Sequence, residues 1–479
     1  MIPGLHLSVR ELLVVLGSVV LVLGRWLPSA VRRRIAVGAV SVVAVGVALT
    51  AVGVRWQLLL VLAADLLVGV GAGMAWLLRR RGDRDGWWAR WWLALPGSLT
   101  CLALVVAGGI AAWALPTPVF PRPSGASAVG TTVVQWTDPG RAETATPDPG
   151  DPRTVVVQLW YPARSVARGV ARAQYLGRTR READTVAAAA ADYLGAPSFL
   201  LDGPPRATSH AAFDAAPAAG RFPVVLFSPG LGGVRTQNTA WAEDLASRGY
   251  LVAGVDHPYD SAAVVLADGR TVRTRIAASG DPDEDDRRRA GWIAVRAADL
   301  SFVLTQLGRL DRGELTGPFT GRLDTVRAAA TGHSLGGAAA MRAAQQDSRF
   351  TAVINLDGGP DSGQGPLRQP VLALTHTIQD QADTDYIAVL SKVLERGTAT
   401  SYRLTVPGSA HLTFTDASLY LPPVPAVAGS LGRTESVRMT TVTCAAFLDV
   451  TLRGRSVDLP TTLSRHGDLR VHPAATGQR

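Results

Sequence analysis

An α/β fold on a mainly parallel sheet, preceded by a membrane region of four helices, is the architecture this sequence predicts. Three observations carry the prediction. Apolar runs crowd the first 115 residues, β-branched runs alternate with helical patterns further on, and a proline-rich stretch divides the two. The chain has 479 residues and a formal charge of +9, unevenly placed. Residues 1–92 hold eleven arginines against Glu11, Asp65, Asp83 and Asp85, a balance of +7, and the remaining 387 residues carry only +2. Eight of the twelve tryptophans fall within the first 113 residues. Basic loops and indoles beside apolar runs mark a membrane topology, not a nucleic-acid footprint.

A bilayer-crossing helix needs about 20 apolar residues. Four stretches reach that length, at roughly 9–27, 35–54, 57–78 and 94–115. Arg25, Arg32, Arg33 and Arg34 follow the first stretch, and Arg79, Arg80, Arg81, Arg84 and Arg90 follow the third. Placing both arginine-rich loops inside puts the N-terminus outside, and everything after Leu115 outside as well. Asp65 lies within the third span, as either a functional carboxylate or one facing a helix bundle. The stretch PTPVFPRPSGAS, 116–127, reads as a linker between the membrane region, 1–115, and a catalytic domain, 128–479. Cys101 and Cys444 are too few and too far apart for a disulfide framework or a metal site.

Beyond the linker, TTVVQW (131–136) and TVVVQLWYP (154–162) read as strands. Runs at 223–230, 250–258, 326–334, 350–358, 369–376 and 400–408 read as strands that end in loops. Helical patterns at 238–248, 286–309, 335–347, 381–396 and 435–453 separate most of them. Such alternation gives a parallel sheet covered on both faces, with its site at the carboxyl ends of the strands. The alanine-rich segment 165–195 interrupts the pattern, as a cap over the site or as a surface insertion.

Gly332-His333-Ser334-Leu335-Gly336 matches G-x-S-x-G, the turn that presents a nucleophilic serine between a strand and a helix. A serine needs a base to take its proton and a carboxylate to orient that base, in the chain order serine, acid, histidine. His411, in PGSAHLTFTD after the last predicted strand, is the expected base; His376 ends a strand and could line the pocket, and His466 and His472 lie in a polar tail. Asp357, after the apolar run of INLDGGP, is the favoured acid, with Asp380 the alternative. Two backbone N–H groups are needed for the oxyanion, one from Leu335 and one from Leu231 in the turn FSPGLGGVR. That turn lacks the lysine and spacing of a phosphate-binding loop, which argues against a nucleotide.

At these residues the sequence resembles a known family. FSPGLGGVRTQNTAWAEDLASRGYLVAGVDHPYDSA (227–262), then TGHSLGG, NLDGGP and PGSAHLTFTD, are similar in order and gaps to the platelet-activating-factor acetylhydrolases of the plasma and type II kind. The resemblance covers about 130–470. It implies an α/β-hydrolase fold, Ser334, Asp357 and His411 as the triad, Leu231 and Leu335 as oxyanion donors, and no metal or cofactor. His257 and Asp260 also match family residues and belong near the site. Where animal members carry bulky sequence after the acid, this chain has Gly358-Gly359, which is expected to open the pocket. The expected function is therefore a membrane-anchored, extracytoplasmic serine esterase acting on lipid or other apolar acyl esters. A polyester- or cutinase-like esterase and an acyltransferase are the alternatives, and an inactive membrane scaffold or binding protein is the alternative of another class.

Overall fold

The structure, a computed structural model, describes residues 9–24, 26–28, 55–80, 91–165, 169–276, 281–361 and 365–475, with isolated positions at 31–44 and at 279. It divides into two compact units, Met1–Thr117 and Pro118–Arg479.

In the first unit, α1 (Val9–Gly24), α2 (Trp56–Arg80) and α3 (Trp91–Ala114) pack through Val14, Val22, Leu58, Val61, Cys101 and Val105. Two windows, Trp56–Met74 and Leu95–Ala114, are long and apolar enough to cross a membrane. The expectation of four spans is corrected accordingly: α1 has 16 residues, about 24 Å of rise against a hydrocarbon core of about 30 Å. The stretch expected at 35–54 lies largely outside the described residues. Asp65 accepts a hydrogen bond from Ser18 Oγ at 2.8 Å, so it faces the neighbouring helix. Arg55, held by Glu11 at 3.2 Å, donates to the carbonyl of Leu115 at 2.5 Å and ties helix ends together.

The second unit begins β1 (Ala128–Ala142), β2 (Pro152–Ala163), β3 (Arg172–Gln174), α4 (Arg180–Tyr193) and β4 (Thr208–Phe213). It continues β5 (Phe222–Ser228), α5 (Thr239–Ser247), β6 (Leu251–Asp256), a hairpin of β7 (Ala263–Val265) and β8 (Thr271–Arg273), and α6 (Pro282–Asp311). Next come β9 (Leu323–His333), α7 (Leu335–Gln346), β10 (Phe350–Leu356), β11 (Val371–Thr375), α8 (Gln381–Glu395) and β12 (Ser401–Thr405). The chain closes with α9 (Arg433–Thr451), α10 (Leu459–Ser464) and β13 (Asp468–His472). Eleven strands form one sheet in the order β13-β12-β11-β10-β9-β5-β6-β2-β1-β4-β3. The six from β12 to β6 are parallel, and β2 and β13 pair antiparallel at their flanks.

Strand β5 shows why both faces are covered. All seven of its residues are buried, with Val224 and Leu226 in one core and Val225 and Phe227 in the other. Side chains alternate across a strand, so a run buried at every position demands helices on both sides. Leu300, Val303 and Leu307 of α6 and Met341 of α7 fill the first core; Trp241 and Leu245 of α5 and Phe447 and Leu448 of α9 fill the second. After β5 the chain steps outward to β6, then returns to the other side of β5 for β9. The crevice at the carboxyl ends of β5 and β9 is thus the switch point where an open parallel sheet binds its ligand.

Residues 118–127 run along this second unit. Phe120 is buried against Tyr175 with ring centroids 4.8 Å apart. Ser124 gives both its N–H and its hydroxyl to Asp244 Oδ1, each at 2.6 Å, and Gly125 N–H donates to Ser247 Oγ at 2.9 Å. The segment 165–195, ambiguous in the sequence, contains β3 and α4, and α4 packs Val186 and Ala187 inward.

Candidate active site

Ser334 stands between the end of β9 and the start of α7, with φ 54° and ψ −123°. A residue with a Cβ pays for such a conformation with roughly 1–3 kcal/mol of strain, and the surroundings must hold it there. They do so from both sides: Ser334 N–H donates to Leu356 O at 2.8 Å, and its carbonyl accepts from Gly337 at 2.9 Å and Ala338 at 3.2 Å. Gly336 makes the tight turn possible, because a Cβ there would lie 2.0 Å from Ser228 O.

The aspartate comes from the neighbouring strand. Asp357 ends β10 at φ 57° and is almost fully buried. His411 opens a short turn after β12, and its Nδ1 lies 2.7 Å from Asp357 Oδ2. The His411 side chain is 46% exposed, open toward solvent on the side away from the carboxylate. Asp357 also receives His376, whose N–H donates to Oδ1 at 3.0 Å and whose Nδ1 lies 2.7 Å from Oδ2, and the Tyr386 hydroxyl at 2.6 Å. Burial disfavours charge on Asp357, but the hydrogen bonds from His376 and His411 outweigh it and hold the carboxyl well below the usual range. For His376 burial likewise works against the proton, yet Asp357, and Asp383 at 3.0 Å from its Nε2, carry it up to about 9. Asp357, His376 and His411 present a set of three potential metal-ligating side chains. Their N···O separations of 2.7 Å are hydrogen-bond lengths, shorter than a shared metal between the two atoms would allow.

Several expected residues take other places. His376 takes a hydrogen-bonded place, its ring held between Asp357 and Asp383. Asp380 caps α8, accepting from Asp383 N–H at 3.0 Å, and is not brought to His411. Gly358 is packed under Ser334: a Cβ there would lie 2.4 Å from Ser334 O, and its N–H and carbonyl are both bound by the Asn355 amide at 2.7 Å. Tight packing, not an open pocket, explains that glycine. The carbonyl of Gly359 accepts from Arg289. Histidine 472, expected in a solvated tail, is buried in β13. Leu231 and Leu335 flank the crevice, and among the described residues neither N–H donates to another protein group.

Sequence reasoning gave no role to His333, Gln237, Ser228 or Asp299. His333 packs beside His411 with ring centroids 4.6 Å apart, and its Nε2 lies 2.9 Å from the carbonyl of His411. Burial, then His411, push its pKa down to about 3, so the ring is neutral and Nε2–H is the donor. Gln237 accepts from Gly230 N–H at 2.8 Å and so shapes the turn that carries Leu231. Ser228 and His257 lie 2.9 Å apart, and His257 Nδ1 is 2.7 Å from Asp299, forming a second serine-histidine-aspartate row in which all three residues are fully buried. The signal for that row was DHPYDSA, which pointed to the loop but not to a partner 42 positions away.

A serine on a strained strand-to-helix turn at the carboxyl end of a parallel sheet, with a buried aspartate after the next strand bound to a histidine, is the arrangement of an α/β-hydrolase. The ferulic acid esterase from Streptomyces cinnamoneus has a similar structure, with a TM-score of 0.57 and 29% identity, covering 74% of this chain and 99% of that one. The chain belongs to the platelet-activating factor acetylhydrolase, isoform II, family, whose model matches residues 150–455. A probable 1-alkyl-2-acetylglycerophosphocholine esterase from Arthroderma benhamiae is 30% identical over 204 residues, 40% of this chain and 48% of the relative. The platelet-activating factor acetylhydrolase of Gallus gallus is 28% identical over 233 residues, 41% of this chain and 53% of the relative. The chain therefore spans about half the length of these two relatives.

Proposed function

We propose that this chain is a serine carboxylic ester hydrolase acting on lipid-like acyl esters, held at a membrane by its N-terminal helices. The observation that carries the reading is Ser334 at a strained strand-to-helix turn, together with the 2.7 Å contact that fixes His411 on Asp357. With Nδ1–H given to the carboxylate, His411 keeps Nε2 as a lone-pair acceptor for the serine proton. Ser334 attacks the ester carbonyl, and the N–H groups of Leu231 and Leu335 receive the developing oxyanion. His411 returns the proton to the leaving alcohol, and water repeats the sequence on the acyl-enzyme. Asp357 stays ionised throughout, because His376 and Tyr386 support its charge alongside His411.

Family membership, with relatives named as a probable 1-alkyl-2-acetylglycerophosphocholine esterase and a platelet-activating factor acetylhydrolase, supports a lipid acyl ester. The likeness to a ferulic acid esterase favours an aromatic or polyester-like substrate as the second reading. A fluorophosphonate probe should label the folded protein and leave Ser334→Ala unlabelled; equal labelling of both would sink the esterase reading. A panel of acetyl, butyryl and longer glycerophospholipids beside methyl ferulate separates the two substrate readings by kcat/KM. Asp357→Asn should lose activity by about 10⁴-fold, as expected when the histidine is left in the wrong tautomer, whereas Asp380→Asn should stay near wild type.

A further inference from the structure

The turn that would hold the oxyanion is gripped from below by a single arginine. Arg296, on α6, has no solvent exposure. One of its terminal nitrogens, Nη1, donates to Pro229 O, and the other, Nη2, donates to Gly230 O at 3.0 Å. Nη1 also lies 3.5 Å from Ser228 Oγ. The remaining edge of the guanidinium meets Asp260 in a two-point pair, Nε to Oδ2 and Nη2 to Oδ1, each at 2.5 Å. Three consecutive residues before Leu231 are thus tied to one planar group.

We propose that Arg296 is a positioning residue for the oxyanion turn, holding the Pro229 and Gly230 carbonyls so that the Leu231 N–H points into the site. The inference rests on the serine esterase reading above. Its geometry explains a cost that packing does not. Burying a guanidinium and a carboxylate together gains little over an apolar pair of the same volume. A planar fork is one of few side chains able to fix two adjacent carbonyls in one orientation. In a trans peptide the Gly230 carbonyl and the Leu231 N–H point in opposite directions, so fixing the one fixes the other.

The second serine-histidine-aspartate row completes the grip. Arg153 donates to both oxygens of Asp299, from Nη2 at 2.7 Å and Nε at 3.2 Å, and Arg141 adds a contact at 2.8 Å. Burial disfavours charge on Asp299, but Arg153 outweighs it and keeps the carboxylate ionised. His257 is held neutral by burial, so Nδ1–H donates to Asp299 and Nε2 accepts from the Ser228 hydroxyl. With no surface for a substrate, this row braces the residue at which the turn leaves β5.

The test uses the full chain and kinetics on 4-nitrophenyl butyrate, with a trifluoromethyl ketone as the mimic of the oxyanion adduct. Arg296→Lys keeps a charge for Asp260 but loses the fork. It should lower kcat about 100-fold, within the range of a lost oxyanion donor, with KM inside threefold of wild type. Affinity for the ketone should fall by a similar factor, a response that general loosening of the fold would not produce in parallel with kcat. A folded Arg296→Lys protein with wild-type kcat, or one that loses only KM, overturns the proposal. Should that variant fail to fold, Asp260→Asn carries the test, since it weakens the two-point pair that orients the guanidinium against the two carbonyls. A drop in kcat of tenfold or more with unchanged KM supports the grip, and unchanged kcat refutes it. Ser334→Ala separates this failure from that of the reading beneath it: full activity in that variant would remove the esterase reading and the proposal together.

Discussion

At the scale of single residues, the carboxylate of Asp357 is unusual in the company it keeps. His411 is its expected partner, but His376 and Tyr386 occupy the same two oxygens. The groups facing His376 are Asp357, Asp383, Tyr386 and, with ring centroids 6.3 Å away, His411. A pKa raised from 6.5 to about 9 means the folded chain holds this proton more tightly than the unfolded one. The stabilisation is complete below about pH 6.5 and fades as pH rises through 9. Melting temperatures of wild type and His376→Gln should therefore differ most near pH 6 and converge by pH 10. A gap that stays constant over that range would assign His376 a packing role only.

At the scale of elements, the nucleophile turn, the turn after β10 and the turn after β5 interlock through backbone atoms. Gly358 is where that can be tested, since a methyl group there meets the Ser334 carbonyl and the first turn of α7. Gly358→Ala should fold with a lowered melting temperature and lose about 100-fold in kcat, the penalty for an ångström of misplacement at a reacting group. Activity within threefold of wild type would show that the turn yields harmlessly.

The same elements show what the sequence could disclose. Parallel strands buried on both faces read as mainly apolar runs, which is why β5, β6, β9, β10 and β11 were legible, and the strand-to-helix turn at Ser334 with them. The short strands β3, β4 and β13 were not legible, because three to six mixed residues carry no period. Nor was the grip on the oxyanion turn. Arg296 sits in RRRAGWIAVRAAD, which reads as a solvated helix face, and its partner Asp260 is 36 positions away. Charge placement in three dimensions leaves no local trace of that kind. The residue after a strand, by contrast, is fixed by the strand itself, and so the places of Asp357 and Ser334 directly after β10 and β9 could be read in advance.

At the scale of the molecule, two apolar helices precede a hydrolase unit whose first residues are already bound to it. We propose an extracytoplasmic catalytic unit, because Arg79, Arg80, Arg81, Arg84 and Arg90 lie between the two apolar windows and favour a cytoplasmic connection there. A reporter active only in the cytoplasm, fused after Leu115, should then be silent, and strong signal there would reverse the orientation. The full chain should also stay with the membrane pellet through an alkaline carbonate wash, and release by that wash would demote the helices to a peripheral role.

The backbone angle at Ser334 has a consequence for the fold as a whole. Glycine adopts that conformation freely, and serine does not. The sequence that would fold best at this position is accordingly one with no nucleophile at all. Ser334→Gly should melt above Ser334→Ala, which keeps the Cβ and its strain while losing the hydroxyl. Random mutation selected for thermal tolerance alone would drift toward glycine here, and a serine at position 334 is a choice that folding by itself would not make.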